Sequence, residues 1–186
     1  QAQFHYVLHD SETTVARNDI DRLPLLEAVE RMEQVFVGPL NPEREIELGL
    51  FKLRIPQYPI EGVREAVLNA LTHRDYLNPG EILVRHSAQE LVVTSPGGFV
   101  AGITPENILR HEAVPRNRTL ANALVKLRLV ESSGIGRRRI FRSALVYGKR
   151  RPQYQTDGYT VTLRLFNRET HSAVAQVAAR LDAAGA

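Results

Sequence analysis

Three side chains able to handle a metal ion or a water molecule recur every fourth residue in one stretch: Glu65, Asn69 and His73, within PIEGVREAVLNALTHRDY at 59–76. The spacing predicts a helix over 59–76. Glu65, Asn69, Thr72, His73 and Tyr76 fall on one side of it, and Val63, Ala66, Val67, Ala70 and Leu71 largely on the other. A carboxylate, a carboxamide and an imidazole at i, i+4 and i+8 make a ladder of polar groups over about 12 Å of helix. The carboxamide oxygen of Asn69 can ligate a hard cation, and Glu65, one turn earlier, can hold a water. That chemistry suggests a magnesium–nucleotide site. A solvated helix face carries the same pattern, and the stripe alone does not separate the two.

Two small-residue loops accompany the helix. Ser95-Pro96-Gly97-Gly98 breaks a strand, and Ser133-Gly134-Ile135-Gly136 opens a helix. Glycine-rich backbone ahead of a helix can turn amide N–H groups and a positive dipole end toward phosphate, although most such loops are simply turns. Basic residues cluster nearby: Arg137, Arg138 and Arg139 with Arg142, then Lys149, Arg150 and Arg151, with Arg116 and Arg118 upstream. They can contact phosphate on a nucleotide or on nucleic acid, or line a solvated helix. Other apparent motifs fail. His73-Arg74-Asp75 looks like a protein-kinase catalytic loop, but Gly80 stands where that motif needs Asn. No further ligands at metal spacing join His73 and Asp75 in a zinc site. There is no G-x-x-x-x-G-K-S/T loop, so no motor of that kind lies in the chain.

The elements that must position these groups follow from period and punctuation. Residues 4–8 read as a short strand. Asp21 is an N-cap candidate with Pro24 in the first turn, and Leu23, Leu26, Val29, Met32, Val35 and Phe36 recur at helical spacing up to Gly38-Pro39. Ile46, Leu48 and Leu50 alternate, which predicts one strand over 44–53. Residues 81–85 and 90–94 read as a hairpin. The stretch 99–119 is irregular with one helical turn near 105–111, and 120–129 and 137–147 are helical. Residues 152–156 and 159–166 form a last hairpin around Asp157-Gly158. This order implies an α+β fold, a two-layer sandwich whose mixed, mostly antiparallel sheet carries helices on one face. We divide the chain into an extension or strand at 1–14, one domain at 15–168, and an Ala-rich helix or tail at 169–186.

Composition narrows the class. The 186 residues suffice for one sizeable core. Cysteine is absent, which excludes disulfides, thiol chemistry and cysteine zinc sites. No apolar run has the length of a membrane span and no signal-peptide pattern is present, so a cytoplasmic location and no membrane partner are expected. The chain opens on Gln1 and its one methionine is Met32; we expect a segment of a longer protein.

The ordered set of polar helix, first loop, irregular segment and second loop resembles the GHKL ATP-binding fold of histidine kinases, type II topoisomerases, MutL proteins and Hsp90. Over roughly 15–166, REAVLNALTHRDY, SPGGF and PRNRTLANALVKLRLVESSGIGR resemble one branch, the divergent ATPase-like C-terminal domain of RecG-related "ATP-dependent DNA helicase" or transcriptional-regulator proteins. The resemblance implies ATP with Mg²⁺ as ligands, and it makes Asn69 the metal ligand and Glu65 the general base. It assigns His73, Ser95, Gly97, Gly98, Gly134, Gly136 and Arg137 to nucleotide binding, with 99–119 as a lid. The chain departs from the fold's pattern at two places. Ser95 stands where an Asp ordinarily meets the adenine amino group, and Ser132 stands for the first glycine of the second loop. The expected function is an ATP-binding module, with weak ATPase activity at most, in a DNA-associated regulatory protein. DNA would be met through other domains or through the basic cluster. The alternative is a degenerate domain that binds no nucleotide and serves homodimerisation or regulation.

Overall fold

Alternation of Phe4, Tyr6 and Leu8 with Gln3, His5 and Val7 makes the first residues a strand, β1 (Ala2–His9), which turns back into β2 (Val15–Leu23). The computed structural model describes residues 2–11, 13–36, 40–48, 51–100, 102–112, 114–130 and 135–168. The expected tail at 169–186 lies outside them. In β2, Arg17, Asp19 and Asp21 alternate with exposed positions, and Arg31 reaches Asp19 (3.3 Å) and Asp21 (3.6 Å). Asp21 is therefore a strand residue rather than a helix cap. The helix α1 starts two residues past the expected Leu23, at Leu25–Phe36. The polarity of β2 hid it from a reading based on apolar period; its backbone pairing with β1 holds it in place.

A second correction concerns 44–53. Two strands, β3 (Glu43–Leu48) and β4 (Phe51–Pro56), pair antiparallel as a sheet of their own. The alternation that suggested one strand changes phase at the reversal, from even positions (Ile46, Leu48) to odd ones (Phe51, Leu53), and the register sets Ile46 opposite Leu53 and Leu48 opposite Phe51. The chain continues through α2 (Ile60–His73), β5 (Ile82–His86), β6 (Glu90–Pro96), α3 (Arg118–Lys126), α4 (Ile135–Val146), β7 (Gln153–Thr156) and β8 (Thr160–Phe166).

The main sheet has the order β2-β1-β5-β6-β8-β7, with β1 and β5 parallel and every other pair antiparallel. This is the expected α+β sandwich with a mixed, mostly antiparallel sheet. Helices cover one face, where Phe4, Tyr6, Ile82, Val84, Leu91 and Val93 from the strands meet Met32, Phe36, Val67 and Leu71 from the helices. At roughly 25 cal/mol per Å², burial of such side chains supplies the main stabilising term. The helix α2 lies between α1 and α4 and rests on β6. Its closeness to α4 depends on Gly62, where a Cβ would stand 2.5 Å from the Ser143 hydroxyl. None of the described helices is long and apolar enough to cross a membrane.

Candidate functional site

The helix α2 needs outside help at its C-terminal end, since its last carbonyls have no partners in the helix. It runs from Ile60 to His73, with Arg74 as its C-cap, so Tyr76, expected on the helical stripe, lies past the end of the helix. Asn117 donates its Nδ2 to the carbonyls of Thr72 (2.9 Å) and Arg74 (2.7 Å). Arg116 donates Nε to the His73 carbonyl (3.1 Å) and Nη2 to the Gly98 carbonyl (2.6 Å). The segment before α3 is thereby tied both to the end of α2 and to the glycine turn after β6.

The polar stripe faces inward. Glu65 is 6 % exposed and Thr72 4 %, which rules out the solvated-face reading. Together with Asn69 and His73 they floor a cavity of about 220 Å³. Ser95, Gly97, Gly98, Gly136 and Arg137 all border the same cavity. Gly134 lies outside the described residues, as do Ser132 and Ser133. The remaining walls are mainly apolar, from the 99–115 segment, α3 and the β7–β8 hairpin, with Tyr154 half-buried at one side.

Each polar group has a distinct state. One Glu65 oxygen, Oε1, takes an ion pair from Arg139 Nη1 at 3.2 Å. The other is packed against Gly136 so closely that a Cβ there would collide with it. The Nδ2 of Asn69 is buried with no hydrogen-bond partner, a deficit of about 1–3 kcal/mol that a bound ligand or water can remove. His73 is held neutral: burial first, then the charges of Arg137 and Arg116, lower its pKa to about 4. Burial likewise lowers the pKa of Arg137; its Nη2 donates to the His111 carbonyl at 2.9 Å. Ser95 lies within β6, not in the loop, and its hydroxyl donates to the Ala70 carbonyl (3.0 Å). Its proton is thus committed, and only its acceptor capacity is left for a ligand.

The first glycine pair has a packing explanation. Gly97 has φ +98°, and a Cβ there would lie 2.8 Å from that of Asp75. Its amide donates to Tyr159 (2.7 Å), and a Cβ on Gly98 would strike the Gly158 backbone. The irregular segment carries the expected turn near 105–111, where Asn107 accepts from the Arg110 and His111 amides (both 2.8 Å) and donates to the Gly102 carbonyl (2.7 Å). Sequence reading missed Arg139 as the partner of Glu65 and Arg116–Asn117 as the cap of α2. Nothing local announces either, because both contacts join positions far apart in the chain.

A mixed sheet under a helix that carries Glu65 and Asn69 into a cavity bordered by a glycine turn is consistent with a GHKL-like two-layer sandwich. Residues 80–165, a little under half of the chain, match the family described as "Putative ATP-dependent DNA helicase recG C-terminal". The match takes in Ser95, Gly97, Gly98, Gly136 and Arg137; α2 precedes it. Among solved structures, the chain is similar to the DIP2311 protein from Corynebacterium diphtheriae, with 29 % identity and a TM-score of 0.84. That likeness covers 94 % of this chain but only 37 % of the other, so the chain spans about a third of that protein. No curated protein matches.

Proposed function

We propose that this domain binds ATP with Mg²⁺ in the cavity between α2, the glycine turn after β6 and α4. The observation that carries the reading is the buried Nδ2 of Asn69, which has no hydrogen-bond partner at a cavity that Glu65 and His73 also line, so that a ligand or water can satisfy the side chain there. Among the described residues no three acidic or imidazole groups converge to cage a metal. Mg²⁺ suits such a site, because it keeps several waters and takes one or two protein ligands besides phosphate oxygens. Asn69 would supply the protein oxygen, and the ion when bound would offset phosphate charge. Ser95, restricted to accepting, would favour a base that presents an amino group, as adenine does. Glu65 is the candidate to position a water, and its bond to Arg139 fixes the carboxylate's orientation. The Gly136 contact crowds its other oxygen, so we expect binding with little turnover. Calorimetric titration with ATP and Mg²⁺ should show binding that Asn69→Ala loses; a flat titration of the unaltered chain would sink the reading.

A DNA-associated regulatory role belongs to the same proposal. What supports it is that the arginine cluster divides: Arg137 and Arg139 turn to the cavity side, whereas Arg138, Arg142, Arg150 and Arg151 are exposed. Binding to duplex DNA should weaken steeply with salt and fall on charge reversal at Arg138 and Arg142. Unchanged binding in that variant would remove the role from this surface. A homodimer is the other partner to test, by sedimentation.

A further inference from the structure

Tyrosine hydroxyls taken out of water find hydrogen-bond partners, and this chain follows the rule at three places. The Tyr6 hydroxyl bonds with His86 Nδ1 (2.8 Å), and those of Tyr58 and Tyr76 donate to the carbonyls of Ser87 (2.7 Å) and Leu71 (3.1 Å). Tyr154, half-buried against the core, departs from it. Its ring is stacked on Phe141 of α4, with centroids 6.2 Å apart and planes at 21°, and tilts against Phe99 at 6.2 Å and 53°. A phenylalanine would make the same ring contacts. Among the described residues the Tyr154 hydroxyl has no hydrogen-bond partner. Tyr154 lines the cavity from β7, and the other lining residues from the β7–β8 hairpin are Val161 and Leu163. Its Oη is therefore the one polar side-chain atom among these three. A hydroxyl left unpaired on an apolar wall costs about 1–3 kcal/mol, a cost that phenylalanine would avoid.

We infer that Tyr154 is a ligand-binding residue, whose hydroxyl donates a hydrogen bond to an acceptor oxygen or nitrogen of the molecule that fills the cavity. The inference rests on the nucleotide reading for what that molecule is. It adds an uncharged donor on the edge strand β7, away from α2 and from the glycine loops. The ring is held between Phe141 and Phe99, so the hydroxyl is positioned before the ligand arrives and little side-chain freedom is lost on binding. The same placement makes the wall selective. An acceptor set against Tyr154 is matched, whereas an apolar group there leaves the hydroxyl unpaired and loses affinity.

Calorimetry with ATP and Mg²⁺, with adenosine and with sodium tripolyphosphate tests this on the whole chain and on Tyr154→Phe, beside urea melts of both proteins without ligand. The phenylalanine chain should be at least as stable as the parent, since no hydrogen bond within the protein is lost. It should bind ATP about 3- to 10-fold more weakly. A matching loss for adenosine but not for tripolyphosphate supports the assignment and sets the acceptor in the nucleoside; the opposite pattern supports it and sets the acceptor among the phosphate oxygens. Equal ATP affinities would mean that water serves as the hydroxyl's partner; they would overturn the assignment and leave the nucleotide reading standing. A Tyr154→Phe chain less stable than the parent without ligand would reveal a partner inside the protein and overturn it too. A parent chain that binds none of the three removes the nucleotide reading and the assignment together.

Discussion

Gly136 sits in the first turn of α4, where helix propensity favours alanine by up to about 1 kcal/mol, yet we predict that Gly136→Ala destabilises the domain. The added Cβ would collide with Glu65 Oε2, and that carboxylate is 9 % exposed and paired with Arg139. Breaking a fully buried pair costs roughly 3–5 kcal/mol. Arg139 is 42 % exposed, so solvent screens the pair and the cost falls to about 1–2 kcal/mol. Set against the propensity gain, the net loss is about 1 kcal/mol, or roughly 2–4 °C in Tm for a chain of this length. In a Glu65→Ala background the obstruction is gone, and the same substitution should be neutral or stabilise by up to about 1 kcal/mol. Urea unfolding of the four proteins gives a coupling energy of about 1–2 kcal/mol if the contact is what demands glycine. An equal cost of Gly136→Ala in both backgrounds would refute the reasoning and return that glycine to a backbone role at the ligand.

Acid should unfold the domain through its histidines. His73 and His86 both have folded pKa values lowered from 6.5 to about 4, in each case chiefly by burial. The unfolded chain therefore takes up these protons first. Stability is complete above about pH 6.5 and is lost as pH falls toward 4, by at most about 3 kcal/mol per histidine. The proton uptake on unfolding at pH 5, read from the pH dependence of urea melts, should drop by about one in His86→Leu; the same uptake in both proteins would contradict the assignment. Asn117→Asp keeps the shape of the side chain but removes both donors to Thr72 and Arg74. It should cost about 1–3 kcal/mol and speed hydrogen exchange in the last turn of α2; slow exchange there would show that another group caps the helix.

Much of the architecture is legible in local pattern because local pattern makes it. Period 3.6 in LLEAVERMEQVF and period 2 in the strands around Asp157-Gly158 need no knowledge of the rest of the chain. Pattern failed where pairing supplies the stability. The polar strand β2 is held by β1, and the β3–β4 hairpin marks its reversal only by a shift of the apolar positions from even to odd, so neither announces itself as an apolar run.

At the site, residue types and spacing were enough to set Glu65, Asn69 and His73 on one side of one helix. What that side faces depends on contacts between positions far apart in the chain. Only tertiary structure turns Glu65 toward Arg139, leaves the Asn69 nitrogen without a partner, commits the Ser95 proton to Ala70 and brings Arg116 to the carbonyls of His73 and Gly98. The reason is that helical spacing follows from backbone geometry alone, whereas burial, charge state and free hydrogen-bonding capacity depend on which distant neighbours the fold delivers.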